Sequence, residues 1–221
     1  MKIAKPLKFT GASPARARFG LVLIHGRWGQ ASDILQLGEA LGLPDVACVA
    51  PEAATNSWWP VSFVAPHAEL DPWLDEAFAN VTAAIAALTE AGLPRERIGI
   101  AGFSQGACLT LEYVARHGGP FATVVACSGG LLGTSDGDGP ALPELNGFAD
   151  KRFDYDTDLT GLPIRISNHL EDPHIPMARV RRSIEVLEAM GARVTAEFEP
   201  GSFHGVLDGD IATLRAAFNK P

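Results

Sequence analysis

Gly102-Phe103-Ser104-Gln105-Gly106 follows a strand-like stretch, Arg97 to Ala101, and opens a stretch with helical spacing that runs to Arg116. A serine raised on a sharp strand-to-helix turn is held in strained backbone geometry, with neighbouring segments passing close by. Residues without bulk must flank it, and Gly102 and Gly106 meet that need. The turn also sets Ser104 at a helix N-terminus, where free backbone N–H groups and the helix dipole favour negative charge. Gly-x-Ser-x-Gly alone arises by chance. Between a strand and a helix it marks a reactive serine on a nucleophile elbow.

Strand-like and helix-like stretches alternate on both sides of this elbow. Upstream, Phe19 to Ile24 reads as a buried strand that ends in His25-Gly26. Ser32 to Leu41 has helical spacing, with Asp33 in its first turn, and Val46 to Ala50 is strand-like up to Pro51. A connection rich in proline and aromatics spans Pro51 to Pro72, and an Ala-rich helix follows from Leu74 to Ala91, stopped by Gly92 and Pro94. Downstream come a strand (Ala122 to Cys127), a strand (Pro163 to Ser167), a helix (Met177 to Met190), a strand (Arg193 to Phe198) and a closing helix (Asp208 to Phe218). Repeated strand–helix–strand units predict an α/β fold with a mostly parallel central sheet and helices on both faces. A chain of 221 residues holds one such domain, 1–221, with no room for a large cap domain.

One stretch breaks the pattern. Ser128 to Thr160 is rich in Gly, Asp and Pro, without a clear period. Its acidic residues, Asp136, Asp138, Glu144, Asp150, Asp154, Asp156 and Asp158, stand against Lys151 and Arg152. Irregular connections of that length are uncommon unless functional or disordered, which leaves an insertion near the site or a long surface loop.

Composition narrows the function classes. A net charge of -8 argues against a nucleic-acid partner, which requires a basic face. Three cysteines, Cys48, Cys108 and Cys127, with no CxxC spacing, argue against a disulfide framework or structural zinc. Met1-Lys2-Ile3-Ala4-Lys5-Pro6 has no apolar signal core, and no run reaches the ~18 apolar residues of a membrane span. A cytoplasmic location is the expectation.

A serine nucleophile needs a base, and the base needs an orienting acid. His117, His169, His174 and His204 lie downstream of Ser104. His204 sits between the last strand and the last helix, in Pro200-Gly201-Ser202-Phe203-His204-Gly205, where a loop at the carboxyl end of the sheet reaches the elbow. His117 ends the elbow's own helix, about a dozen residues on, which at ~1.5 Å per residue carries it away. The acid belongs on the loop before the penultimate helix, where Asp172 and Glu171 compete; Pro173 fixes the backbone after Asp172 and favours it. His169, Asp172 and His174 lack complementary ligands elsewhere, so no metal site is expected.

Acyl transfer also needs preorganised N–H donors for the developing oxyanion. One is the residue after the nucleophile, Gln105. The other comes from the loop after the early strand, His25-Gly26-Arg27-Trp28-Gly29-Gln30, where Arg27 is the first choice and Trp28 the next. His25 reads as a structural hydrogen-bonder of that loop. Trp28, Trp58, Trp59, Phe63 and Trp73 are candidates for an apolar pocket lining or for core packing.

With these pieces in place, the chain from about Leu21 to about His204 resembles the phospholipase/carboxylesterase family, which includes the acyl-protein thioesterases. The resemblance rests on Ile24-His25-Gly26-Arg27, Trp58-Trp59-Pro60-Val61-Ser62-Phe63, Gly102-Phe103-Ser104-Gln105-Gly106, Asp172-Pro173-His174-Ile175-Pro176 and Gly201-Ser202-Phe203-His204. It implies the α/β-hydrolase fold and a cofactor-free esterase or thioesterase acting on a small-molecule ester. It also implies a Ser104–Asp172–His204 triad with N–H donors from Arg27 and Gln105. The chain departs from the family by carrying His169 where a glycine is common, three residues before the acid. It also carries Trp28 where the loop usually continues with small residues. A peptidase, a lactone hydrolase or a catalytically silent binding protein are the alternatives.

Overall fold

The computed structural model describes residues 5–137 and 139–219; Met1 to Ala4, Asp138, Lys220 and Pro221 lie outside the described residues. Seven strands form one sheet: β1 (Lys8–Gly11), β2 (Phe19–Ile24), β3 (Val46–Ala50), β4 (Ile98–Phe103), β5 (Thr123–Cys127), β6 (Pro163–His169) and β7 (Arg193–Glu199). Their spatial order is β1-β3-β2-β4-β5-β6-β7, and every pairing is parallel except β1 with β3. Five helices cover it: α1 (Ala31–Ala40), α2 (His67–Glu90), α3 (Gln105–His117), α4 (Met177–Ala189) and α5 (Asp208–Phe218). This is the α/β-hydrolase architecture, with no large cap.

The alternation of strand side chains divides the core in two. Val22 and Ile24 pack with residues of α2, α3 and α4, while Leu21 and Leu23 pack with residues of α1 and α5. Burial on both faces explains why β2 reads as an unbroken apolar run rather than an alternating one. Each large aliphatic side chain shut away in this manner contributes about 1.5–3 kcal/mol of transfer free energy.

Three elements differ from the sequence expectation. β1 is an added antiparallel edge strand; it is four residues long, with Phe9 exposed, so it carries little periodic signal. Helix α2 begins at His67, before Pro72, although proline usually marks a boundary. Two groups from the irregular stretch hold its first turn: Thr134 O accepts the His67 N–H (3.2 Å) and Asp136 Oδ1 accepts the Ala68 N–H (2.7 Å). Those bonds stabilise a start that local propensity disfavours. The irregular stretch itself is fastened to the body, with Leu131, Leu132, Leu145 and Leu159 in the core.

Candidate active site

Ser104 stands where β4 passes into α3, with φ 55° and ψ -120°. A non-glycine residue with positive φ is strained, at a cost of order 1–3 kcal/mol. Two backbone bonds hold it: the Ser104 N–H donates to Cys127 O (2.9 Å) and the Cys108 N–H to Ser104 O (3.0 Å). The flanking glycines are required by space. A Cβ on Gly102 would lie 2.2 Å from Gly106 O, and one on Gly106 would lie 2.1 Å from Ile24 O.

The loop after β2 lies directly beside the elbow, because β2 and β4 are neighbours in the sheet and Ile24 is level with Gly102. Buried His25 organises that loop. Its Nδ1 is 2.7 Å from Gly26 O and its Nε2 accepts the Ala53 N–H (3.1 Å). The pattern needs a neutral ring with its proton on Nδ1, and burial pushes the His25 pKa down, which favours the neutral form. Trp58 stacks on this ring at 4.8 Å and donates its indole N–H to His25 O (2.9 Å). Arg27 donates from its guanidinium to Pro60 O (3.2 Å) and to Val61 O, so its charge is engaged with the 57–63 segment.

Among the described residues, neither the Arg27 nor the Gln105 backbone N–H has an acceptor. The Trp28 N–H, the next choice for an oxyanion donor, is instead given to Asn56 O (2.6 Å). The Gln105 side chain does a separate job. Its Oε1 accepts the Trp58 N–H (2.9 Å) and its Nε2 donates to Trp59 O (2.8 Å), clamping that segment to the elbow. Nothing in the sequence pattern distinguishes this clamp from a spacer residue.

Asp172 and His204 come together from two loops. The Leu170 N–H donates to Glu199 O and the Glu171 N–H to Gly201 O, so the loops after β6 and β7 are zipped side by side. Asp172 Oδ1 accepts the His174 and Ile175 N–H groups (2.8 and 3.1 Å), and Oδ2 lies 2.7 Å from His204 Nδ1. Glu171, the competing acid, is exposed. Ser128 adds a tie from beneath, its hydroxyl donating to Gly205 O (2.9 Å). His117 is remote, as its position at the end of α3 implies, and stacks on Tyr113.

Ser104, His204 and Arg27 open on one cavity of about 530 Å³, which is of ligand-pocket size. Trp28, Trp59 and Phe63 line it as well; Trp58 and Trp73 do not. Trp58 lies behind the loop after β2, and Trp73 borders a small crevice beside it. Gly26, Ser62 and Gln105 line it too, as do four residues outside the sequence expectation for the pocket: Phe103, Cys108, His174 and Ile175. Cys108 was detectable in principle, since it lies four residues after Ser104 on the same helical face. Burial pushes its thiol up to about 12, so it is a protonated, inert wall. The His174 ring meets His204 edge-on at 5.0 Å, while His169 packs against Phe203 outside the cavity. No described residue of 128–160 lines it. Among the described residues, Ser104 Oγ has no hydrogen bond to His204. Without substrate that contact is often long and tightens on binding.

Among the described residues no group of three or more His, Cys, Asp or Glu is arranged to hold a metal ion, and no helix is long and apolar enough to cross a membrane.

The phospholipase/carboxylesterase family model matches residues 46–216. Among solved structures, a phospholipase/carboxylesterase from Dyadobacter fermentans is 36% identical, with 98% of this chain and 97% of that one covered, at a TM-score of 0.84. The esterase PE8 is 22% identical over 95% of both chains, at a TM-score of 0.71. A carboxylesterase from Mesorhizobium loti is 21% identical, covering 98% of this chain and 95% of that one, at a TM-score of 0.66. At their lower identity, the last two speak to the fold. None of the curated proteins matches the chain.

Proposed function

The chain belongs to the phospholipase/carboxylesterase family, and on that premise we propose that it is a serine carboxylesterase working through an acyl-enzyme on Ser104. Family and structural neighbours point to a carboxylesterase- or phospholipase-type hydrolase; the nucleophile, the triad and the substrate are our assignment. The observation that carries it is the 2.7 Å Asp172–His204 pair opening on the same cavity as the elbow serine.

Asp172 fixes the proton of His204 on Nδ1 and leaves Nε2 as the base. His204 takes the Ser104 proton as Oγ attacks the acyl carbonyl. The carbonyl oxygen becomes an oxyanion, held by the N–H groups of Arg27 and Gln105 at the N-terminus of α3. His204 then gives its proton to the leaving alcohol or thiol. A water, deprotonated by the same His204, attacks the acyl-enzyme and releases the acid. No step calls on a cofactor. Trp28, Trp59 and Phe63 favour small to medium acyl or aryl esters, thioesters among them. The same triad serves amide or lactone cleavage as the second reading.

The test is turnover of p-nitrophenyl acetate and butyrate by the wild type and by Ser104→Ala. We expect the variant to fall by about 10⁶ in kcat, toward the residual rate left by binding and the oxyanion hole. Equal rates in both proteins would end the esterase assignment. A panel of aryl esters, acyl-CoA, lactones and peptides ranks the two readings.

A further inference from the structure

Trp58 and Trp59 are adjacent, both buried, and treated differently. The Trp58 indole N–H has a carbonyl acceptor in His25. The Trp59 indole is wholly enclosed, yet its Nε1 has no partner among the described residues. A buried tryptophan N–H usually finds an acceptor, and one left without costs stability. Trp59 also borders the catalytic cavity. Its backbone is pinned, with its carbonyl accepting from both Ser57 Oγ (2.7 Å) and Gln105 Nε2 (2.8 Å), so the ring cannot easily turn elsewhere for a partner.

The cavity lining is part exposed and part buried. Trp28 and His174 are exposed, and His174 adjoins His204. Trp59, Phe63, Cys108 and Ile175 are buried. His204 must protonate the leaving group, so the alcohol or thiol departs on the exposed, histidine side. The acyl group then takes the buried side, against Trp59. Resting on the serine-esterase reading, we infer that the preferred acyl group carries a hydrogen-bond acceptor, an ether, carbonyl or hydroxyl oxygen, that receives the Trp59 indole N–H. A plain alkyl chain of the same shape leaves that donor unsatisfied, and sites built around a hydrogen bond discriminate against the analogue lacking it.

The experiment compares kcat/KM for p-nitrophenyl 3-methoxypropanoate with pentanoate, and for 4-oxopentanoate with 4-methylpentanoate. Each ratio is divided by the same ratio for hydroxide-catalysed hydrolysis, which removes intrinsic reactivity. Wild type is expected to favour at least one oxygen-bearing ester by about tenfold, the worth of one neutral hydrogen bond. Trp59→Phe keeps an aromatic ring, though a smaller one, and removes the donor, and the ratio should fall to about one. A wild-type ratio near one, or a preference that survives in Trp59→Phe, overturns the inference while Ser104-dependent turnover of pentanoate still upholds the esterase reading. Absence of Ser104-dependent turnover of every ester overturns both. Thermal unfolding checks that Trp59→Phe folds; if it does not, the corrected wild-type ratio decides by itself.

Discussion

Asp172 and Glu112 are both carboxylates whose side chains are closed to solvent, yet they are spent in opposite ways. Asp172 accepts two N–H groups from its own loop and keeps one oxygen for His204, whose ring reaches the cavity. Glu112 uses everything on fastening. It receives Arg116 Nε (2.8 Å), the Tyr155 hydroxyl (2.8 Å) and the Leu132 N–H (3.1 Å), with Lys151 Nζ at 3.8 Å. Burial alone would raise the Glu112 pKa, but Lys151 and Arg116 outweigh it and hold the group below the ordinary glutamate value. The ties run to 132, 151 and 155, so Glu112 is the peg on which the irregular stretch hangs. Equal burial thus yields an Asp–His pair that reaches the cavity in one place and anchorage in the other. What separates them is whether a partner remains open to the cavity.

The largest effect that bears on this contrast is on rate. Asp172→Asn retains an oxygen for the two loop N–H groups but spoils the tautomer of His204, and kcat for p-nitrophenyl butyrate should fall by about 10⁴ while the unfolding midpoint changes little. A large loss of stability with a modest loss of rate would make Asp172 a structural acid like Glu112.

Glu112→Ala should do the reverse. Removing one partner of a buried ionic cluster leaves uncompensated charge, and a loss of about 3–5 kcal/mol is expected in urea unfolding. The rate per folded molecule should hold within about twofold, since no described residue of 128–160 lines the cavity. A selective collapse of kcat would show that the stretch reaches the chemistry after all.

Gln105 lies between the two extremes, with a backbone donor in the site and a side chain in the scaffold. Gln105→Ala keeps the N–H and releases the Trp58–Trp59 clamp, leaving the buried Trp58 N–H without its acceptor. About 1–3 kcal/mol of stability should go, with kcat/KM down by about tenfold. Unchanged kinetics would mean that the clamp does not position the cavity wall.

The smallest effect is a pH dependence. Glu52 accepts Lys5 (2.8 Å) and the Ala31 N–H (3.0 Å) beside the loop after β2. Burial alone would raise its pKa, but the bonds from Lys5, Ala31 and Lys8 bring it down to about 2 from 4.5. A depressed carboxylate contributes stability that is fully present above the unfolded pKa and lost as pH falls through the folded one. Glu52→Gln should therefore flatten the decline in stability between pH 4.5 and about 2, measured by thermal melts. An unaltered acid limb would place the loss elsewhere.

Much of this was legible in residue order, for reasons that stay local. A serine at positive φ on so tight a turn requires Gly102, whose Cβ would strike Gly106 O, so the elbow announces itself; Gly106 answers to Ile24 O, which β2 brings alongside. The parallel sheet follows from alternating periods, and the loops holding Asp172 and His204 follow from their places after successive strands. Tertiary structure decided the rest. Trp58 and Trp59 are the same residue in neighbouring positions, and only the packing of His25 and Gln105 sets one behind the loop after β2 and the other on the cavity wall. The helix start before Pro72 is bonded to Thr134 and Asp136, some seventy residues on, and Leu132, Lys151 and Tyr155 are tied to Glu112. Long-range hydrogen bonds and buried charge leave no periodic mark in a sequence, because the partners that satisfy them are adjacent only once the chain has folded.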